Sequence, residues 1–188
     1  MKDFLISNFN LSLNEATLFC DCFVAKPYTA GQKFVSYGDV SHKIGFVEKG
    51  FLKCVSIGQT KEVIDDFVFD HQFVANYHSF LTKKASTKDI VCITNSIIRV
   101  ATRERIEELG KRYAFVEQVA RIVAEKLFVA THKKLENILL LNAEERYVEL
   151  LNSNGQILNK IPQYEIASYL NVSPETVSRI RKKLSMLS

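Results

Sequence analysis

Residues 161–184 read IPQYEIASYLNVSPETVSRIRKKL, and the reading of this stretch decides the architecture. Ile166, Ala167 and Leu170 recur at i, i+1 and i+4, one side of a first helix. Val177, Ile180 and Leu184 recur at i, i+3 and i+7, one side of a second. Ala167 is small where two crossing helices must approach closely. Asn171 stands at the corner between them, where a residue that tolerates φ > 0 is wanted. Ser173 is a good N-cap, and Pro174 suits the first helical position because its missing N–H would be an orphan there anyway. The pattern predicts a helix-turn-helix whose second helix enters a DNA major groove. A plain helical hairpin with a solvated basic end has the same apolar spacing. The cap, the corner residue and the polar outer face agree better with the first reading.

The charge of the chain is only mildly biased, +4 over 188 residues, and does not by itself predict a nucleic-acid partner. Its placement is more informative, because Arg179, Arg181, Lys182 and Lys183 crowd the C-terminal end of the second helix. Such a run also complements the helix dipole, and the two explanations are compatible. A hydrophobic fraction of 47% is ample for a packed core. The sequence has no run of about 18 apolar residues, and MKDFLISNFN lacks the apolar segment of a signal peptide. A cytoplasmic location is the expectation. Cys20, Cys22, Cys54 and Cys92 then read as buried thiols rather than disulfides, and they form no C-x-x-C. His42, His71, His78 and His132 form no H-x-H or H-E-x-x-H pair. No metal and no cofactor is expected from these spacings.

Upstream of the two helices, AEERYVELLNSNG, residues 143–155, predicts a supporting helix with Tyr147, Leu150 and Leu151 facing inward and Gly155 as its C-cap. Residues 112–140 run without Gly or Pro. Phe115, Val119 and Ile122 form one apolar line there, and Val116, Val123, Leu127 and Ala130 a second. Two lines imply two partners: one packs on the preceding domain and the other on a symmetry mate. A helix buried wholly in its own subunit is the alternative. TRERIEELGKRY predicts a short helix ending near Gly110, and residues 12–25 another. Between about Tyr28 and Ala101 the segments KFVSYGD, KIGFVEKGFLKCVSIG, KEVIDDFVF and DIVCITNSIIRVAT read as strands. Lys49-Gly50 and Asn95-Ser96 read as hairpin turns inside the second and fourth. Many short strands at this spacing predict a sandwich or jelly roll.

This order, with these residues, resembles the Crp–Fnr family of bacterial regulators. The resemblance rests on G-x-x-F-V-S-Y-G-D at 31–39 and GFVEKGFLK at 45–53 in the β-region. In the helical region it rests on ERY at 145–147, IASYL at 166–170 and ETVSRIRKKL at 175–184. It implies an α+β chain: a β-roll sensor domain at 1–111 (a double-stranded β-helix of the cyclic-nucleotide-binding kind), a dimerisation helix at 112–142, and a winged-helix-like helix-turn-helix head at 143–188. It further implies a homodimer on a near-palindromic double-stranded DNA site, RNA polymerase as a further partner, a regulator rather than an enzyme, and no membrane. Glu175, Ser178 and Arg179 match the family's base-reading triplet. At i, i+3 and i+4 they share one helix face. Arg179 suits a guanine O6/N7 edge and Glu175 a cytosine N4 amine. Glu175 also suits the helix N-terminus without any DNA. Gln163, Tyr164, Ser173 and Thr176 are candidates for phosphate contact, and Arg181 and Lys182 for electrostatic affinity.

The chain departs from the family in two places. Cyclic-AMP binders carry Gly-Glu and Arg-Ser pairs for ribose and phosphate. Here Val74-Ala75-Asn76-Tyr77 and Lys84-Ala85 stand near those places. Asn76, Tyr77 and Lys84 are the candidate pocket for a small-molecule effector that is not cyclic AMP. A degenerate pocket with no ligand is the alternative, and a cupin-like metalloenzyme a more distant one. The second departure is at the end: the chain stops four residues after Leu184, so the expected head lacks the family's β-hairpin wing.

Overall fold

The computed structural model describes residues 1–58, 61–153 and 161–186. The chain divides into two compact units, Met1–Glu125 and Lys126–Ser188. In the first, helices α1 (Lys2–Phe9) and α2 (Leu13–Asp21) precede strands β1 (Val24–Tyr28), β2 (Lys33–Val35), β3 (Lys43–Lys49), β4 (Leu52–Ile57), β5 (Glu62–Val68) and β6 (Phe73–Val74). Helix α3 (Tyr77–Thr82), β7 (Lys88–Cys92), β8 (Ser96–Thr102) and α4 (Arg103–Gly110) follow, and α5 (Phe115–Leu140) runs on into the second unit. That unit adds α6 (Ala143–Ser153), α7 (Gln163–Leu170) and α8 (Pro174–Ser185).

The strands form two antiparallel sheets in the orders β1-β8-β3-β6 and β2-β7-β4-β5. Pairing first with last and inward from both ends is the jelly-roll arrangement. It corrects the hairpin reading of two turns. β3 and β4 lie in different sheets, as do β7 and β8, so Lys49-Gly50 and Asn95-Ser96 are corners that carry the chain across the roll. A turn signal in the sequence reports a reversal or bend but not which strand is the partner. The corners meet: Gly50 has φ 122°, and a Cβ there would stand 2.1 Å from Ser96 Oγ. β4 and β5 do form a hairpin pair.

In the middle of the first sheet β3 and β8 bury residues on both faces, which explains why IGFV and VA in these strands run without apolar–polar alternation, while β1 at the edge is largely exposed. Phe34, Val47, Leu52, Ile90, Ile98 and their neighbours fill the space between the sheets. On the other face Leu5, Phe9, Phe19, Ala101, Phe115 and Val119 form a second core with the helices. Phe46 joins it with rings Phe4 and Phe73 at 5.4 and 5.2 Å.

α1, α3, β1 and β6 are additions to the elements expected from sequence. α1 is too short to show periodicity. It is held by burial of Leu5 and Phe9 and stopped by Asn10 at φ 54°. α2 begins at a capping box of Ser12 and Glu15.

The two apolar lines of α5 are not divided one to each partner: Val116 and Val123 of the second line pack on the same core as Phe115, Val119 and Ile122 of the first, and only Leu127 and Ala130 of the second are exposed. Phe115, Val116 and Val119 are buried in the first unit. Beyond the unit boundary Leu127, Phe128, Leu135, Ile138 and Leu139 are exposed. The Gly155 cap lies outside the described residues.

Gly50→Ala would combine a left-handed backbone with a collision against Ser96. Denaturant titration should show a loss of more than about 2 kcal/mol. A loss of a few tenths would mean the corners are not tightly packed.

Candidate nucleic-acid interface

Helix α7 buries Glu165, Ile166, Ala167 and Leu170. Its end is set by Asn171, which adopts φ 53°, ψ 47° and donates its N–H to Ala167 and Ser168 carbonyls. Val172 N–H returns to the Ala167 carbonyl at 3.0 Å, so the last turn of α7 is closed by hydrogen bonds. Two residues on, the Ser173 hydroxyl accepts from Thr176 N–H at 3.3 Å and Pro174 opens α8. Gln163 Nε2 donates to the Pro174 carbonyl at 2.6 Å and ties the two helix starts together. The cap and the corner thus stand as the spacing predicts, and of the expected inward line of α8 Val177 is fully buried, Ile180 nearly so and Leu184 half-buried.

Burying that side of α8 turns Glu175, Ser178, Arg179 and Lys182 outward, and all four are exposed. They stand at i, i+3, i+4 and i+7, one face of a helix. The guanidinium of Arg179 donates from Nη2 to Thr176 Oγ1 at 3.2 Å. The Ser173 hydroxyl lies 3.3 Å from that same oxygen. The Ser173 hydroxyl holds the Glu175 carboxyl below its ordinary range, helped by the Glu175 backbone N–H and by Arg179. A lowered carboxyl strengthens the helix start above the ordinary carboxylate range, and the effect is lost as pH falls through the lowered value. Tyr164 is 61% exposed on α7.

Arg181 makes a contact inside the helical unit. Its Nε donates to the Tyr147 hydroxyl at 3.0 Å, and Tyr147 is buried on α6. Lys183 pairs with Glu144 at 2.8 Å, and Arg146 Nη2 donates to the Leu170 carbonyl at 2.9 Å. These contacts clasp α6 onto α7 and α8. Tyr147 was legible as an inward residue, but nothing in the spacing pairs residues 34 positions apart.

In the first unit Asn76 is 5% exposed and caps α3. Its Oδ1 accepts from Ser79 N–H at 3.1 Å, and its Nδ2 donates to Ser86 Oγ at 2.6 Å. Tyr77 stacks on Phe80 at 6.3 Å, and burial pushes its phenol up. Lys84 is exposed, and its carbonyl accepts from the Ser79 hydroxyl. Asn76 and the Lys84 backbone are therefore joined through Ser79, and the Asn76 amide is taken up by local structure. Among the described residues no three His, Cys, Asp or Glu side chains converge as a metal-ligand set, and no helix is long and apolar enough to cross a membrane.

No family model and no curated protein matches this sequence. Solved structures do match the fold. A Eubacterium rectale protein described as a transcriptional regulator of the Crp/Fnr family aligns with a TM-score of 0.69 at 16% identity, over 96% of this chain and 86% of its own. The c-di-GMP-responsive global regulator CLP of Xanthomonas campestris aligns with a TM-score of 0.68 at 17% identity, over 93% and 92%. A cyclic nucleotide-binding domain from Methylobacillus flagellatus aligns with a TM-score of 0.66 at 12% identity, over 73% of this chain and 82% of that one. The chain has the fold of the Crp/Fnr regulators, as the sequence resemblance implies. Its jelly roll is that of the cyclic-nucleotide-binding domains.

Ser173→Ala should lower stability by about 1 kcal/mol through the lost N-cap. A carboxyl NMR titration should also show the Glu175 pKa rising toward its ordinary value. An unmoved Glu175 would mean that the serine does not hold that carboxylate. Tyr147→Phe should cost roughly 0.5–1.5 kcal/mol in denaturant titration if the Arg181 clasp supports the helical unit.

Proposed function

We propose that this chain is a dimeric, sequence-specific DNA-binding transcription regulator of the Crp/Fnr type, acting in the cytoplasm and not as an enzyme. The observation that carries the reading is the two-sidedness of α8: Val177 and Ile180 inward, Glu175, Ser178, Arg179 and Lys182 outward. In this reading α7 and α8 are a helix-turn-helix within a head at 143–188, with α8 in the major groove. Arg179 reads guanine, Glu175 accepts from cytosine N4 and Ser178 lies against the base between them. Tyr164, Thr176 and Lys182 meet the phosphate backbone. Ser173 and Gln163 are already committed to shaping the helix starts, so backbone contact from them is secondary. Arg181 acts mainly by holding α8 to α6.

The exposed face of α5 supports the dimer. Leu127, Phe128, Leu135, Ile138 and Leu139 are too many large apolar groups for one exposed helix segment to leave to solvent, and a second copy packed along α5 covers them. A two-fold pair of heads then meets a near-palindromic site, and RNA polymerase is the expected further partner. The β-roll over 1–111 is the sensor and the segment at 112–142 the dimerisation helix. A cyclic nucleotide is not its effector in this reading, because Asn76 and Lys84 supply neither a ribose carboxylate nor a phosphate fork and the Asn76 amide is already bonded to Ser79 and Ser86.

Selection of bound sequences from a random duplex pool, followed by binding titrations at fixed salt, tests the reading. Arg179→Ala should lose about 1–3 kcal/mol on the selected site and relax preference at one base pair. Unchanged discrimination would remove Arg179 from the reading face. Phe128→Glu should give a monomer in sedimentation and a large loss of affinity for the two-half-site duplex. A dimeric Phe128→Glu variant would place the interface elsewhere.

A further inference from the structure

The inner face of the first sheet carries the half-buried Lys43, with the exposed Lys26 at its β1 edge. Strand register sets Lys26 opposite Ile98 and Ile98 opposite Val47, and residues facing each other across strands share a side of the sheet. Side chains alternate along a strand, so Lys43 and Gly45 lie on the same side as Val47. That side faces the other sheet. Val47 and Ile98 are fully buried in the inter-sheet core, and a Cβ on Gly45 would strike Ile98, Val74 and the ring tip of Phe34. Lys43 therefore points into the roll. Its Nζ lies 4.7 Å from the ring centre of Phe34 and 6.0 Å from that of Tyr28, both buried.

Among the described residues neither lysine is ion-paired. Aromatic faces attract an ammonium but bring no counter-charge. Burial, and then the nearby charge of Lys26, hold the Lys43 ammonium below the ordinary lysine value. A methionine would cover Phe34 as well and carry no desolvation cost. Two unneutralised ammoniums, one of them half-buried, are the arrangement that an anion between them would relieve.

We propose that Lys26 and Lys43, over the floor of Tyr28 and Phe34, bind a small oxyanion carrying two or more negative charges at the inner face of the β-roll. Lys43 supplies the desolvated charge, where an ion pair is strongest, and Lys26 the solvent-side charge. The site stands whether or not the head binds DNA.

The test uses the full chain and inorganic phosphate, with sodium chloride at matched ionic strength as the control. Phosphate should raise the melting temperature saturably, as a ligand of the native form does. Lys43→Met and Lys26→Met should each weaken the apparent affinity by about tenfold or more. In chloride alone Lys43→Met should melt no lower than the unaltered chain. Equal phosphate response in the unaltered chain and in Lys43→Met overturns the proposal. A second measurement needs no variant: limited acetylation read by peptide mass spectrometry. Phosphate should protect Lys43 and leave the exposed Lys111 unprotected. Unchanged acetylation of Lys43 at saturating phosphate also overturns the site.

Discussion

Burial of one side of α8 is the constraint on which the functional account depends. Val177 and Ile180 are driven out of water together with Ile166, Ala167 and Leu170 of α7, and each large side chain so buried stabilises the packing by about 1.5–3 kcal/mol. That term is several times larger than any single surface hydrogen bond on the helix. It fixes the rotation of α8 about its own axis, and the rotation decides which residues project. Glu175, Ser178, Arg179 and Lys182 are outward because the apolar residues cannot be. The polar contacts refine this arrangement: Ser173 starts the helix, Asn171 ends the one before it, and Arg181 holds α8 to Tyr147.

The first unit follows the same logic with sheets. A jelly roll needs its chain to cross between sheets, and crossing corners must pack closely. Gly50 against Ser96 meets that need with the one residue type that accepts φ 122° and leaves no Cβ in the way. The inner core is filled by large side chains, and the outer face of the first sheet is covered by helices. Lys43 is a half-buried charge at the edge of a mostly apolar interior, and exceptions to burial rules mark function or strain.

Much of this was legible in the sequence, and the parts that were not share a cause. The caps, the Asn171 corner and the inward residues of α7 and α8 are local properties, set by neighbours within a few positions, and they were readable. Most strands were readable for the same reason, though the edge strands β1 and β6 were not. Strand partnership was not: a turn at Lys49-Gly50 looks alike whether it closes a hairpin or rounds a corner. The roles of Asn76 and Arg181 were also hidden. Each depends on a partner brought close by folding, Ser86 for one and Tyr147 for the other. Asn76 is a candidate for ligand contact on sequence, and in the structure it caps α3, as a buried amide must find partners for its donors and acceptors. α1 and α3 are held by burial and capping rather than by periodicity, so they left no signal to find.

The most direct measurement is the affinity of the intact chain for its selected duplex relative to a scrambled duplex, by fluorescence anisotropy across a range of salt. The account predicts tight, salt-dependent binding to the selected duplex, with preference for it retained at every salt concentration. Both duplexes should show a slope that reports phosphate neutralisation. Equal affinity for the two duplexes at all salt concentrations would contradict it, since a face that only meets phosphates cannot tell them apart.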